Sequence, residues 1–398
     1  MHIDIKESVE KLATTIFPLI RSFREHLHAH PELSFQEFET AAFVKSKLQE
    51  WGIPFQAMAG TGVVGLITGD LPSEEIIALR GDMDALPIVE ANEGKPYRST
   101  KEGVMHACGH DVHTSSLLGT AFILQQLKPH FGGTIKLVFQ PAEEILPGGA
   151  SIMIKEGVLD NPQPKAILGQ HVMPLIETGK VGFRKGIYMA STDEIYVTVT
   201  GKGGHGAQPH QNIDPVIITA HILVALQQIV SRRADPRLPS VLSFGKVIAN
   251  GATNIIPNEV KLEGTFRTLN EEWRKEAHGL MKKMAEGIAE SMGGHCDFNI
   301  MNGYPFLINE EKLTEKSIQY AQEYLGKENV VDLDIWMAAE DFAYYSQVTD
   351  ACFYRLGTGN KSLDTMHSVH TPNFDIDPEA LKISTGLMAY IALKQLGN

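Results

Sequence analysis

Cysteine is scarce: Cys108, Cys296 and Cys352 are the only three in 398 residues. An odd, sparse count builds no disulfide framework and points to a reducing, cytoplasmic setting. Long apolar runs are missing as well. None approaches the roughly 18 residues of a membrane span, so no transmembrane segment is expected. The opening residues, Met1 to Glu7, carry charge and lack the apolar stretch of a signal peptide. Positive charge is in deficit, with 35 Lys and Arg against 48 Asp and Glu and a formal charge of -13. That balance argues against nucleic acid or an anionic membrane as partner. The remaining composition, 43% hydrophobic and 21% charged, is that of an ordinary globular chain. Its length allows two or three domains.

Against this background one run stands out, His106-Ala107-Cys108-Gly109-His110-Asp111-Val112-His113. It places three imidazoles and a thiol within eight residues. Cys108 and His110 are one residue apart, so both side chains can point into one space. Leu117, Leu118, Ala121, Leu124 and Leu127 follow at helical spacing, which puts the run on a loop that opens a helix.

Apolar periodicity predicts helices over 5–28 and about 35–51. Short β-branched runs at 62–69, 76–79, 134–140 and 165–169 read as strands. Strands alternating with helices imply an α/β fold with an open, mainly parallel sheet flanked by helices. In such sheets ligands bind at the carboxyl ends of the strands. Asp82 and Asp84, Glu143 and Glu144, and His171 are each expected just past such an end. From about residue 192 the order becomes β-α-β-β-α-β, the pattern of a ferredoxin-like α+β unit. The expected division is a catalytic metal-binding domain of residues 1–190 and 306–398, interrupted by a smaller lid and dimerisation domain, 191–305. The lid also carries a Gly-rich turn, 201–210, without the spacing of a phosphate loop.

Thiolate, imidazole and carboxylate together suit a catalytic divalent metal. Cys108, His110, Glu144 and His171 are candidate ligands, and His367 or His370 could add a fifth. Five ligands exceed the need of one ion with an open position and fit two ions activating a shared water. With Glu144 on metal, Glu143 is free to act as general base and then acid. Strand alternation would point these neighbours apart, so the chain must turn at Pro141.

These segments, Arg80–Pro87, His106–His113, Gln140–Glu144, Gly203–His210, Asn254–Pro257 and His367–Pro372, resemble the motif set of dinuclear metal amidohydrolases of the aminoacylase/carboxypeptidase superfamily. The likeness is to the branch of hippurate hydrolase, N-acyl-L-amino acid amidohydrolase and auxin–amino acid conjugate hydrolase, and it spans nearly the whole chain. It implies Cys108, His110, Glu144, His171 and His370 as metal ligands and Glu143 as catalytic acid/base. His370 is preferred to His367 because it stands in the His-Thr-Pro context. The peptidase branches have His-x-Asp where this chain has Asp82-Met83-Asp84, which favours an amidohydrolase. Asp84, His113 and Glu340 are then expected to support the site from behind, with His106 and His210 in similar roles. His205 resembles a lid histidine that stabilises the oxyanion across a dimer. Asn254 and Arg267 resemble groups that grip the substrate carboxylate.

The expected activity is hydrolysis of the amide bond of N-acyl-L-amino acids (N-acetyl, N-benzoyl or similar) by metal-activated water. The expected cofactors are two divalent ions, zinc or manganese, with nickel or cobalt also compatible. The expected partners are the small-molecule substrate and a second copy of the chain, in a homodimer through the lid. The alternatives are a metallo-dipeptidase or carboxypeptidase on the same scaffold, and a non-catalytic binding protein.

Overall fold

The computed structural model describes residues 4–397. The chain forms two compact units. One comprises the chain through Tyr188, Ile308–Ile335 and the chain from Asp341 onward; the other comprises Met189–Leu307 and Trp336–Glu340.

The first unit is built on an eight-stranded sheet. Across it run Phe55–Met58, Gly62–Thr68, Gly132–Gln140, Leu71–Asp82, Ala166–Glu177, Asp350–Gly359, Val181–Phe183 and Val330–Asp332. The four central strands, from Gly132–Gln140 to Asp350–Gly359, pair in parallel. Antiparallel pairs stand only towards the two sides. Buried on both faces, the central strands read as continuous apolar runs; Ile135, Leu137, Val138 and Phe139 are all fully buried. The helix His110–Leu127 is buried almost throughout and packs against Ile5–Ala29 and Glu379–Gln395. Gly119 permits that approach, since a Cβ there would lie 2.6 Å from Thr385 Cγ2 and 2.9 Å from Ile20 Cγ1.

The second unit has a four-stranded antiparallel sheet in the order Ser240–Ile248, Glu259–Thr268, Asp193–Thr200, His295–Asn302. With the helices Pro215–Gln228 and Glu271–Ser291 this is the ferredoxin-like β-α-β-β-α-β arrangement. Asp193–Thr200 alternates buried and less buried residues, as a strand with one covered face must.

Two features depart from the sequence reading. The stretch Pro215–Arg233 is, by length and composition, apolar enough to cross a membrane. Its uncharged polar residues, Thr219, His221, Gln227 and Gln228, break the apolar run to the eye but add no charge. Here Ile218, Ile222, Leu226 and Ile229 are buried in the core of the second unit. The other departure is Trp336–Glu340, which clusters with the second unit instead of the first. Backbone bonds hold it there: Ala190 N–H donates to the carbonyls of Trp336 and Ala338.

A buried ion-pair group fastens the first helix to the rest of its unit. Arg24 donates from Nε to Asp111 Oδ2 at 2.9 Å, and its Nη2 lies 2.9 Å from Asp375 Oδ1. Burial alone would raise the Asp375 pKa, but Arg24 and Lys95 outweigh it and hold the carboxyl at about 2. This lies below the unfolded value of about 3.9, so the pair contributes stability above about pH 4 and loses it as pH falls towards 2. Arg24→Met should cost about 3–5 kcal/mol in urea unfolding at pH 7, because two buried carboxylates lose the guanidinium they share. The wild type should weaken between about pH 4 and 2, and the variant should show less of that slope.

Candidate metal centre

The sheet register sets the site. Asp82 ends its strand opposite Gln140, and Arg80 stands opposite Gly169. His171, two residues beyond Gly169, therefore lies level with Asp82. It is inside the strand Ala166–Glu177, not past its end as the sequence implied. The reason is the neighbour Asp350–Gly359, which pairs Arg355 with His171 and continues through Met173.

At the end of Gly132–Gln140 the alternation breaks. Ala142 adopts a left-handed φ of 51°, and Glu37 Oε1 accepts its N–H at 2.8 Å. The two glutamates beyond the turn are held differently. Glu143 Oε1 accepts the N–H of Asp341 at 3.3 Å, whereas the backbone N–H of Glu144 donates to Asp84 Oδ2 at 3.0 Å. Gly109, at φ 82°, lets the loop between Cys108 and His110 pass close to the sheet. A Cβ there would meet Val172 Cγ2 at 2.5 Å. His370 is also left-handed, at φ 62°, with its N–H on the carbonyl of Ala107 at 2.7 Å. A non-glycine residue so placed needs firm surroundings.

These elements bring the five candidate ligands together. Cys108 Sγ lies 3.4 Å from His171 Nε2 and 3.2 Å from His370 Nε2. Glu144 Oε1 lies 3.2 Å from His370 Nε2 and 3.9 Å from His110 Nε2. Donor atoms of Cys108, His110 and His171 fall within 4.8 Å of one another, as do those of Cys108, Glu144 and His370, and those of His110, Glu143 and Glu144. Cys108, His110 and Glu144 are each common to two of these groups, an overlap that suits two neighbouring ions.

The far sides of the rings are tied down, as metal-binding histidines need. His171 Nδ1 pairs with the carbonyl of Val172 at 2.8 Å and His110 Nδ1 with Asp84 Oδ1 at 3.1 Å, so each Nε2 faces the site. Asp84 is further fixed by Ser34 Oγ at 2.6 Å. His113 Nδ1 pairs with Asp82 Oδ1 at 2.5 Å, and its Nε2 accepts the N–H of Val172 at 3.0 Å. Both of its nitrogens are thus engaged in support. His106 is buried with neither ring nitrogen hydrogen-bonded.

The electrostatics call for a cation. Burial would strip the proton from His110, but Asp82, Asp84 and Glu144 outweigh it and raise the pKa to about 10. Burial, then Glu144, Glu143 and Asp82, push the Cys108 thiol well above its ordinary value. Burial, with Arg355 adding to it, keeps His171 neutral. His110 Nε2 and Glu144 Oε1 are buried and make no hydrogen bond, an expensive condition unless something else occupies the space. Protons stand here where metal would; loading an ion displaces them. Soft thiolate, imidazole and carboxylate fit a divalent transition metal.

In the second unit His205 is exposed, and its Nδ1 accepts the N–H of Ala207 at 3.1 Å. Asn254 is exposed, with its carbonyl accepting the N–H of Gly206. Arg267 is half-buried and donates from Nη1 to the carbonyl of Met337 at 3.2 Å. Among the described residues no carboxylate pairs with it; burial alone lowers its pKa. Glu340 is buried and belongs to this unit rather than to the first. His210 is exposed, with its Nε2 3.5 Å from Gln211 Nε2.

The family profile described as Peptidase family M20/M25/M40 matches residues 78–394. The chain belongs to that family. An N-acyl-L-amino acid amidohydrolase of Geobacillus stearothermophilus is 42% identical to it over 308 residues, 77% of this chain and 82% of the relative. A thermostable carboxypeptidase of Saccharolobus solfataricus is 35% identical over 395 residues, 98% of this chain and 99% of the relative. The crystal structure of a dinuclear metal binding peptidase from the M20 family of Bacillus subtilis matches with a TM-score of 0.82 at 33% identity, covering 96% of this chain and 99% of that one.

As an M20-family member the chain is a hydrolase acting on amide bonds, and the superfamily resemblance carried by its motifs is established. Sequence reasoning did not single out Ser34 or Glu37 as fixtures of the site. Asp341 was within its reach, because the Glu340-Asp341 pair matches the same branch and was expected to wall or support the site. Zinc or manganese should raise the thermal midpoint of this M20-family chain, by about 2.7 kcal/mol of stability at roughly 100 times Kd. A chelator should reverse the rise, and His171→Ala should remove most of it. No shift with zinc, manganese, nickel or cobalt would refute the assignment of the centre.

Proposed function

We propose that the chain hydrolyses N-acyl-L-amino acids, N-acetyl, N-benzoyl or similar, to a carboxylate and a free amino acid. The observation that carries this reading is the position of Cys108 Sγ, 3.4 Å from His171 Nε2 and 3.2 Å from His370 Nε2. One thiolate there adjoins two donor groups. Cys108, His110, Glu144, His171 and His370 would hold two divalent ions, zinc or manganese, with nickel or cobalt compatible. Ions so held supply Lewis acidity, polarising the amide carbonyl and acidifying the attacking water.

The chain's own residues do the rest. Glu143 takes a proton from the water as its oxygen bonds to the acyl carbon, then delivers that proton to the amine as the C–N bond breaks. The Asp341 N–H on Oε1 fixes the orientation of that carboxylate. His205, whose Nδ1 is already an acceptor, carries its proton on Nε2 when neutral. That nitrogen can donate to the developing oxyanion, across a homodimer formed through the second unit. Arg267, with donors to spare, and Asn254 bind the free carboxylate of the amino acid. The setting proposed is the cytoplasm.

The rival activity, a dipeptidase or carboxypeptidase, has support from the carboxypeptidase relative. Asp82 weighs against it. It stands where the peptidase branches carry the histidine of a His-x-Asp pair, and its two oxygens are engaged by Arg80 Nη1 at 2.6 Å and His113 Nδ1 at 2.5 Å.

The test is amine release from N-acetyl, N-benzoyl and N-indoleacetyl amino acids and from dipeptides, with the chain loaded with zinc or manganese. N-acyl amino acids should turn over, and Glu143→Gln should lower kcat by about 10²–10⁴-fold. Turnover of dipeptides alone would make the peptidase reading correct. Silence across the panel with both ions bound would overturn the proposal.

A further inference from the structure

Two residues before Asp82, the same strand carries Arg80, which the mechanism above leaves without a task. Its side chain is fully buried, and three directions of its guanidinium are used. Nε donates to Gln140 Oε1 at 2.9 Å, Nη1 to Asp82 Oδ2 at 2.6 Å and Nη2 to Asp341 Oδ1 at 2.8 Å. Gln140 Nε2 closes the ring by donating to both Asp341 oxygens at 2.8 Å. Asp341 Oδ2 also accepts the N–H of Ala150 at 2.9 Å.

Each carboxylate passes the constraint on to one side of the centre. Asp82 gives its other oxygen to His113 Nδ1, and His113 Nε2 takes the N–H of Val172, the residue after His171. The His113 ring also lies 4.7 Å from the His171 ring and 5.4 Å from the His110 ring, centroid to centroid. On the other side Asp341 presents its backbone N–H to Glu143 Oε1. Gln140 is the last strand residue before the Glu143–Glu144 turn. Arg80 and Asp341 are 261 positions apart in the chain.

We propose that Arg80 is a positioning residue for the reaction. Its guanidinium is a rigid clamp that fixes the carboxylate of Glu143 relative to the imidazole of His171, through one arm to each. The inference rests on the amidohydrolase reading above, with Glu143 as base and His171 as ligand. Arginine suits the task because its planar fork holds two carboxylates and an amide at fixed angles, whereas lysine offers a point charge on a flexible stem. The two arms make separable claims. The Asp341 arm acts on the proton-transfer step, and the Asp82 arm acts on the affinity for the ions.

The test uses the whole chain, with wild type, Arg80→Lys, Asp341→Asn and Asp82→Asn compared. Thermal melts and circular dichroism establish folding, calorimetric titration with zinc or manganese gives ion affinity, and kcat and KM are measured on the best N-acyl amino acid. Asp341→Asn should lower kcat about 10–100-fold, with KM and ion affinity within about threefold of wild type. Asp82→Asn should weaken ion binding about 10–100-fold. Arg80→Lys should show both defects, and if it fails to fold the two isosteric Asn variants decide alone. A purely structural role would lower the melting temperature and leave kcat and ion affinity of the folded fraction unchanged. That result, or equal losses of both quantities in the two Asn variants, would overturn the proposal. A wild type that binds ions but hydrolyses no member of the panel would instead count against the amidohydrolase reading.

Discussion

Acidic groups buried without enough positive charge are the condition on which the rest of this structure depends. Asp82, Asp84, Glu143 and Glu144 converge at the ends of two parallel strands, and the fold surrounds them with imidazoles and a thiol. His110 is forced to keep a proton it would otherwise lose on burial. Its Nε2 and Glu144 Oε1 are left without a hydrogen bond. A chain does not bury such groups for stability, because each unmet polar atom costs of order 1–3 kcal/mol. The cost is understandable when a divalent cation supplies the missing charge and the donors become its ligands. The surrounding structure serves that purpose: Gly109 brings the loop against Val172, Glu37 holds the strained turn at Ala142, and Ala107 anchors His370.

Local chemistry was easy to read in the sequence. The run His106–His113 concentrates its donors in eight residues, and Glu143-Glu144 follow a plainly apolar strand. Position along the sheet was harder. His171 was expected beyond a strand end because its own apolar run stops at Gly169, yet partner strands, not local hydrophobicity, decide where a strand ends. The return of Trp336–Glu340 to the second unit left no mark either, since it is held largely by backbone hydrogen bonds that any residue can make. The Arg80 network was invisible for a related reason. Arg80, Gln140 and Asp341 each fall in a motif segment, but nothing in their spacing says that they meet; two neighbouring strands and the turn at Asp341 bring them together.

The ferredoxin-like unit shows the other side of this lesson. Its element order gave away its topology, helped by the alternation of Asp193–Thr200 and the single apolar face of Glu271–Ser291. The roles of its residues stayed opaque. His205 and Asn254 are exposed and sparsely bonded, and such residues have no pattern of burial to betray them. Arg267 is the exception, a half-buried guanidinium whose Nη1 donates to the Met337 carbonyl. Among the described residues no carboxylate pairs with it, so its charge is left partly desolvated.

The central claim is that one thiolate adjoins two cation sites. A count of ions per chain tests it most directly, by native mass spectrometry on protein stripped of metal and then titrated with zinc or manganese. The expected result is two ions on the wild type, with neither retained at wild-type affinity in Cys108→Ala. One ion at saturation, or two ions undisturbed by the loss of Cys108, would contradict the account.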